Sequence, residues 1–580
     1  MINEELAAVF DEIAVLIELG EDNPFRARAY ANAARTIRSL PEDINMMEAN
    51  GSIASVKGLG KELRSHISEY LASGKITLKD TLVAAIEPGL IEMLRINGLG
   101  PKRIRAIHEA LQIQSINALA DACRDGKVAA LPGFGPKSAA NILKNIEFLQ
   151  EQQAYVRLDI AAAALQSVID ELKQFPLIKM ISAAGSVRRR KEIAHDLDAV
   201  ASVAKEEDRA AVMDAFTHVS AAQEILAHGL TKSTILLRAG IKMDLRVVTE
   251  DTFATALLHF TGSKESNVAL RSLAGKAGMK INEYGVWRGE ERLDIVDEAG
   301  VYAALGLAYI EPELREDRGE FEAAANNILP NLVTEADVKG PLHCHTNWSD
   351  GAASLEEMAE GARALGYMYI GICDHSQAAA YAHGLSPADA ARQHKEIDAL
   401  NRKYGAAFHI FKGTECDILK DGALDFDNDT LASFDFVVAS IHSAFQQSEE
   451  EQTQRLLRAL SNPYVTILGH LTGRLLLQRE GYSVDIPAIL SAAGKRGVAV
   501  EINANPQRLD LDWRWHKTAA QLGVYLPICP DAHTVAGLKD VAYGIGAARK
   551  GWLETKHIPN TWDTETLRQW FLKTRSAARG

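Results

Sequence analysis

Residues 340–351 read GPLHCHTNWSDG, and the histidines in that stretch decide how the C-terminal part of the chain is read. A strand has a side-chain period of two, so His343 and His345 point to the same side, with Asp350 close behind. Five further apolar runs carry a metal-type side chain at or near their end: YIGICDHS (369–376), FKGTECDI (411–418), FVVASIHS (436–443), VTILGHLTGR (465–474) and LPICPDAHT (526–534). They supply His375, Glu415, His442, His470, Asp531 and His533. Each run reads as a β-strand, and the strand ends of successive β/α units converge on one face of a barrel. Imidazole and carboxylate together suit Zn, Mn or Fe. One such histidine alone reads as a structural residue; nine metal-type side chains in this order do not.

This spacing resembles the PHP (polymerase and histidinol phosphatase) family of metal-dependent phosphoesterases, and all nine positions of that family's trinuclear metal site are filled. Two neighbours depart from its common pattern: Pro341 stands where Asp usually precedes Leu-His-x-His, and Leu471 where Pro usually follows the ligand. Cys344, Cys373, Cys416 and Cys529 lie one or two positions from the ligands. An immediate neighbour of a ligand on a strand points into the barrel wall, so these thiols read as small buried hydrophobes; Cys529, two before Asp531, is the one that could face the site.

The chain has 580 residues, 47% hydrophobic and 24% charged, which implies several globular domains. Five cysteines are too few for a disulfide scaffold. No apolar run reaches membrane-spanning length, and the start, MINEELAAVFDEIAVLIELG, lacks the basic opening and unbroken apolar core of a signal peptide. A cytoplasmic protein is expected. A net charge of −14 would disfavour nucleic acid if evenly spread. It is uneven: Arg26, Arg28, Arg35 and Arg38 lie in an acid-free stretch, 23–40, and Lys57–Arg105 carries nine bases against five acids.

A second chemical signature lies in IKMISAAGSVRRRKEIAHDLDAVASVA (178–204). Gly185-Ser186 reads as a strand-to-helix turn whose amides could bind phosphate. Asp196 and Asp198 are two apart on one strand and project from one face, and Asp244 lies in a second strand, IKMDLRVV (241–248). Three converging carboxylates repel one another and invite divalent cations. Asp-x-Asp alone is common at strand ends; preceded by Gly-Ser and Arg-Arg and followed by a distant strand Asp, it resembles the nucleotidyltransferase palm of DNA polymerase family X. The likeness extends through TKSTILLR (231–238), LLHFTGSKESNVALR (257–271), INEYGVW (281–287) and YAALGLAYIEPELRED (302–317). The resemblance implies that Gly185, Ser186 and Arg189 hold the triphosphate. It places Phe260 and Gly262 against the sugar, Asn267 at the nucleotide's minor-groove edge and Arg271 on the template side. His195 replaces a common Gly, and His259 stands where animal relatives often have Tyr.

Residues 1–150 read as short amphipathic helices with three similar turns: VKGLGKELRSHI (56–67), INGLGPKRIRAI (96–107) and LPGFGPKSAANI (131–142). Glycine permits positive φ and close approach of another backbone, and the following helix opens with free N–H groups suited to phosphate. Three such turns resemble helix-hairpin-helix motifs, which grip the DNA backbone without reading bases. The implied contacts are Gly58, Gly60 and Lys61; Gly98, Gly100 and Lys102; and Gly133, Gly135 and Lys137. Some family X relatives use a Schiff-base lysine in the first of these regions, where alignment puts His66. Imidazole cannot form that imine, so weak or absent lyase activity is expected.

The expected fold is multidomain α/β: helical helix-hairpin-helix domains, an α+β palm with a thumb, and a distorted β/α barrel of PHP type. The boundaries read 1–88 for an N-terminal helical domain, 89–150 for a fingers-like domain with two hairpins, 151–255 for the palm, 256–325 for the thumb, 326–338 for a linker and 339–580 for the PHP domain. The arrangement resembles bacterial and archaeal family X polymerases. It implies gap filling in DNA repair on gapped or primer-template DNA with deoxynucleoside triphosphates, plus a 3′–5′ exonuclease and, in some members, abasic-site cleavage. Mg2+ or Mn2+ would serve the palm, and Zn2+ or Mn2+, with Fe as an alternative, the PHP site. A monomer with no membrane partner is expected. The rivals are a non-catalytic DNA-binding scaffold and a PHP phosphatase of small substrates.

Overall fold

The computed structural model describes residues 2–577 apart from 21–22, 39, 41–42, 97 and 153–154. The chain forms two compact units, Met1–Gln153 and Ala154–Gly580.

The first unit is helical. Helix Ile2–Gly20 packs along Pro24–Arg38 and also meets Thr77–Ala85 and Pro101–Leu111. One apolar cluster runs from Leu6 to Leu149 and takes one stripe from each helix, such as Leu63 and Ile67, then Ile104 and Ile107. That leaves the polar stripes and the glycine turns at the surface.

The second unit begins with a five-stranded sheet in the order Ile178–Ala183, Asp196–Val203, Lys242–Thr249, Lys232–Leu237, Ala222–Ala227. Asp196–Val203 runs antiparallel to the first strand and parallel to Lys242–Thr249. Leu158–Leu172 and Arg209–Thr217 bury their apolar stripes on one face. Helix Phe253–Thr261 covers the other through Ala256 and Leu257, against Ala184 and Val200. A small antiparallel sheet, Met279–Arg292, shares a separate core with Leu258, Leu270, Tyr302, Ile310 and Leu314.

Beyond residue 340 the strands are parallel. Tyr369–Ile372, His409–Asp417, Phe436–Ser440, Ile467–Leu468 and Ala499–Val500 pair in that order, and Ile502–Asn503 pairs with Ile528–Cys529. Cys344 bridges to Ile372 on one side and Ala532 on the other, which closes the ring. Strand 436–440 is buried at every position, as a strand covered on both faces must be. The interior holds Leu342, Tyr369, Phe411, Phe436 and Cys529, and is plugged by Leu567, Trp570 and Phe571 of the last helix, Thr564–Ala577. A Cβ on Gly371 or Gly413 would lie 2.7 or 2.6 Å from the Phe436 ring, so those glycines make room for the plug's partner. Phe571 stacks on Phe436, that strand's first residue, at 4.8 Å. The opposite, C-terminal ends of the strands are left for polar side chains. Three barrel helices start with reciprocal capping boxes, Ser354/Glu357, Ser386/Asp389 and Ser448/Glu451.

The segment read as a linker is bonded in place. Val333 N donates to Leu553 O at 3.1 Å, Leu332 bridges Glu554, and Thr334 and Asp337 form a capping box. The four buried cysteines of this region sit in apolar clusters, Cys529 included.

The sheet and the segment after it are joined through Glu298. Its buried carboxylate accepts from Arg188 at 2.9 and 2.6 Å and from Arg315 at 2.6 Å. Burial alone would raise its pKa; hydrogen bonds from Arg188 and the charge of Arg315 outweigh it and hold the group at about 2 instead of the ordinary 4.5. A depressed carboxylate contributes stability above its unfolded pKa and loses it as pH falls through the folded one. Glu298→Gln should therefore lower stability by about 3 kcal/mol near neutral pH. In urea titrations of both proteins, that gap should stay constant above pH 5 and shrink as pH is taken from about 4.5 towards 2.

Candidate active sites and nucleic-acid interface

The palm site follows from strand register. Asp198 and Asp244 are direct partners across the parallel pair, and Asp196 shares a face with Asp198 because two residues separate them. Thr234 Oγ1 donates to Asp244 Oδ1 at 2.6 Å, and Lys232 Nζ pairs with the other oxygen. Burial, then the charges of Asp196 and Asp244, push the Asp198 carboxyl up to about 7. A group so placed is stabilised as an anion by a cation, and the all-oxygen donor set fits Mg2+ or Mn2+.

The strand Ile178–Ala183 delivers the turn that roofs these carboxylates. Gly185 adopts φ +60°, and a Cβ there would lie 2.1 Å from Asp198 Oδ2, so only glycine fits. A cleft of about 460 Å3 is lined by Gly185, Ser186, Arg189, Asp196, Asp198, His259, Phe260, Gly262, Lys264, Asn267 and Arg271. The sequence-selected palm and thumb residues thus meet at one place, with Asp244 beside Asp198 in the sheet. Ser186 Oγ is buried there without a hydrogen-bond partner, as an anion-binding hydroxyl would be before its ligand arrives. Arg246 stacks over Phe260 at 4.5 Å and fixes that ring. Asn267 Nδ2 donates to His259 O at 2.7 Å. Arg188 does not line the cleft; it is spent on Glu298 and Thr261 Oγ1. Lys264 was missed by motif reading, although it is the one base in GSKES.

The barrel site is built at the strands' C-terminal ends around Glu415. That carboxylate is 1% exposed and has His343, His375, His442 and His470 nitrogens at 3.4, 3.1, 3.3 and 3.0 Å. His345 Nε2 lies 3.2 Å from Asp531 Oδ1, and His533 Nε2 lies 3.3 Å from Asp350 Oδ1. Three overlapping groups have donor atoms close enough to share a cation: His345, Asp350, His375 and His533; His343, His345 and Glu415; His375, Glu415 and His442. The nitrogens His343 Nε2, His345 Nδ1 and Nε2 and His375 Nδ1 are buried without hydrogen-bond partners. Lone pairs left so in a protein interior fit metal ligation. Burial and the charges of His533 and His375 hold His345 at about 3, so it is a neutral imidazole. His343 and Asp531 keep positive φ, +60° and +51°, a conformation that costs energy at a non-glycine residue.

An outer set of carboxylates orients two of these imidazoles, and sequence reading passed over it. Glu501 Oε2 takes His343 Nδ1 at 2.7 Å and Asp417 Oδ1 takes His442 Nδ1 at 2.6 Å. Such partners fix the tautomer that offers Nε2 to a metal. Asp374 is no ligand: it accepts from Thr346 N and Oγ1, Ser349 Oγ and Gln393 Nε2, tying the first loop to a helix. The signal was present in ECD and CDH, where a second acid neighbours each ligand. Leu471 is buried in the wall, and Pro341 O accepts from Gly371 N, so neither departure from the family pattern lies in the ligand cluster. The exposed Tyr381 ring stands 6.1 Å from His375 and 6.2 Å from His442, at the rim.

In the helical unit, Gly58, Gly98 and Gly133 take φ of +91°, +77° and +78°. Gly60 and Gly100 cap the next helices with ordinary extended backbone. A Cβ at Gly60, Gly100 or Gly135 would meet nothing within 4 Å. The second glycine of each turn is therefore not demanded by the protein's own packing. Lys61, Lys102 and Lys137 are exposed beside these turns. Arg103 is committed elsewhere: it donates to Gly98 O at 3.0 Å, bonds Ser138 and covers the Phe134 ring, tying the second turn to the third. Arg26 and Arg38 are paired with Glu62 and Asp11. His66 is held by the Tyr30 hydroxyl at 2.8 Å.

Comparison with known proteins matches four segments. Residues 1–76 match a helix-hairpin-helix domain, 90–147 a SAM-like helix-hairpin-helix tandem, 256–316 the DNA polymerase beta thumb and 341–505 the PHP domain. The chain is 39% identical to the DNA polymerase/3′-5′ exonuclease PolX of Bacillus subtilis, over 97% of both chains. It is 28% identical to a probable phosphatase of Caldicellulosiruptor bescii, over 34% of this chain and 80% of that one. It is 32% identical to a probable phosphatase of a Thermoanaerobacter species, over 27% and 62%.

Glu501→Gln leaves His343 Nδ1 without its anion. Metal affinity of the barrel site should fall about 10- to 100-fold, read as the chelator concentration that strips metal from the purified protein. Unchanged retention would remove Glu501 from the site.

Proposed function

The chain belongs to the PHP-containing family X DNA polymerases, as a DNA polymerase with 3′–5′ exonuclease activity, and from that premise we propose how its residues divide the two reactions. The observation that carries the reading is the single cleft in which the glycine turn, the aspartates and the residues of 259–271 meet.

In the palm, Asp196, Asp198 and Asp244 would hold two Mg2+ or Mn2+ ions. When bound, such ions activate the attacking oxygen and stabilise the leaving one. Ser186 Oγ, the Gly185 turn and Arg189 hold the triphosphate oxygens. Phe260, fixed by Arg246, and Gly262 present a flat wall to the sugar. Asn267 and Arg271 face the minor-groove edges of nucleotide and template. The primer 3′-hydroxyl then attacks the α-phosphate of a deoxynucleoside triphosphate held in line, which suits filling a short gap in repair.

In the barrel, His343, His345, Asp350, His375, Glu415, His442, His470, Asp531 and His533 would hold Zn2+ or Mn2+, with Fe as an alternative. When bound, these ions lower the pKa of water and polarise the phosphodiester. Glu501 and Asp417 keep His343 and His442 in the ligating tautomer, and the cluster sits at the barrel rim where a strand end can enter. The glycine turns hold DNA by its backbone, on gapped or primer-template duplexes. We assign the palm to 151–255, the thumb to 256–325 and the PHP domain to 339–580, in a cytoplasmic monomer. No described helix is long and apolar enough to cross a membrane.

One duplex with a single-nucleotide gap tests the division. Asp198→Ala should lose about hundredfold or more in insertion while still degrading 3′ ends. His343→Ala with His345→Ala should abolish degradation and keep insertion. A double variant that keeps its exonuclease would place hydrolysis elsewhere.

The hairpin contacts should appear in the salt dependence. Each phosphate contact removed lowers the slope of log affinity against log salt by about one. Lys102→Ala and Lys137→Ala should each do so equally on duplexes of different sequence. A changed sequence preference with an unchanged slope would contradict backbone contact.

A further inference from the structure

Lys550 ends the helix Val541–Lys550 of the PHP region and is 1% exposed. Its ammonium reaches none of the barrel's ligands. It donates to Arg189 O at 3.1 Å and Glu313 O at 3.4 Å, and bonds the Glu316 carboxylate. An ammonium has three donors, and all are spent on the polymerase side. Its Nζ also stands over the Trp513 ring, 4.6 Å from the centroid. Trp513 Nε1 and Arg514 in turn hold Glu192 at 3.1 and 2.8 Å. The segment between the glycine turn and Asp196 is thus gripped from the PHP side at both Arg189 and Glu192.

The point of grip matters because Glu316 is shared. Its Oε1 also accepts from Arg189 Nε at 3.0 Å, and Arg189 NH1 bonds Thr261 O. Arg189 lines the palm cleft. Arg189 and Glu316 alone make a neutral pair, with little net field for an anion. Lys550 returns the group to a net positive charge and supplies Glu316 with a second partner, so the carboxylate orients the guanidinium without cancelling it. A lysine is rarely buried unless paired, and nothing in the exonuclease site calls for this one.

We propose that Lys550 is a positioning residue for DNA synthesis: lent by the PHP region, it balances Glu316 so that Arg189 keeps its charge and direction for the incoming triphosphate. This rests on Arg189 being a triphosphate ligand, as assigned above. It makes the PHP region part of the nucleotide site independently of hydrolysis.

The test is single-nucleotide insertion at a one-nucleotide gap with the deoxynucleoside triphosphate varied, using the full chain. Lys550→Met should raise KM about tenfold or more with kcat within about threefold, the pattern of lost ground-state binding. Degradation of single-stranded DNA should be unchanged. Adding Glu316→Gln to Lys550→Met removes the uncompensated carboxylate and should bring KM back to within about threefold of wild type, a coupling that packing loss does not produce. Arg189→Ala is measured alongside. If Arg189→Ala leaves KM unchanged, the triphosphate assignment falls and this proposal with it. If Arg189→Ala raises KM and Lys550→Met does not, the assignment stands and Lys550 has no positioning role. If Lys550→Met loses both activities or melts early, the double variant decides: failure of Glu316→Gln to restore insertion overturns the proposal.

Discussion

Charge taken out of water must be matched by charge or hydrogen bonds, and residues 154–580 are organised by that constraint. Glu298 lies between Arg188 and Arg315, Glu316 between Arg189 and Lys550, and Glu415 among imidazoles from several strands. Each of these acids joins segments far apart in sequence. Removing one would strand its partners in a low-dielectric interior, at a cost of about 3–5 kcal/mol.

The two active sites meet the same constraint differently. In the palm, Asp196, Asp198 and Asp244 crowd together; Lys232 and Thr234 bond Asp244, His195 lies 3.7 Å from Asp196, and Asp198 is still driven up to about 7. Such a site stores repulsion that divalent cations relieve. In the barrel, carboxylates and imidazoles balance one another, and a second ring of acids, Glu501 and Asp417, orients the first. The palm aspartates border a cleft, while the barrel's cluster is mostly buried, with Asp350 and His533 its most exposed members. The adjoining arginines divide likewise: Arg188 is structural, held by Glu298, and its neighbour Arg189 reaches the cleft.

The helical unit works by leaving things out. Its paired glycines are of two kinds: the first needs positive φ, and the second needs an empty side that no residue of the unit fills. Arg103 is consumed in joining two turns, whereas Lys61, Lys102 and Lys137 stay exposed beside them.

Sequence alone determined the chemistry that is local. His-x-His, Asp-x-Asp, Gly-Ser and Gly-x-Gly declare themselves because strand and turn geometry fix side-chain direction over two or three residues. The barrel's strands and the palm's residues were legible for the same reason. What tertiary structure decided lies at long range. Glu501 is 158 residues from the histidine it orients, and Lys550 is 361 from the arginine whose carbonyl it holds. Neither sits in a motif, because a buried ion pair needs proximity in space and leaves no spacing in the chain. The 326–338 stretch likewise read as a linker from its Asn and Pro, yet Leu332 and Val333 find backbone partners at 553–554 that no local pattern foretells. Local stereochemistry names the reacting groups; only the packing of distant segments says which charges stand behind them.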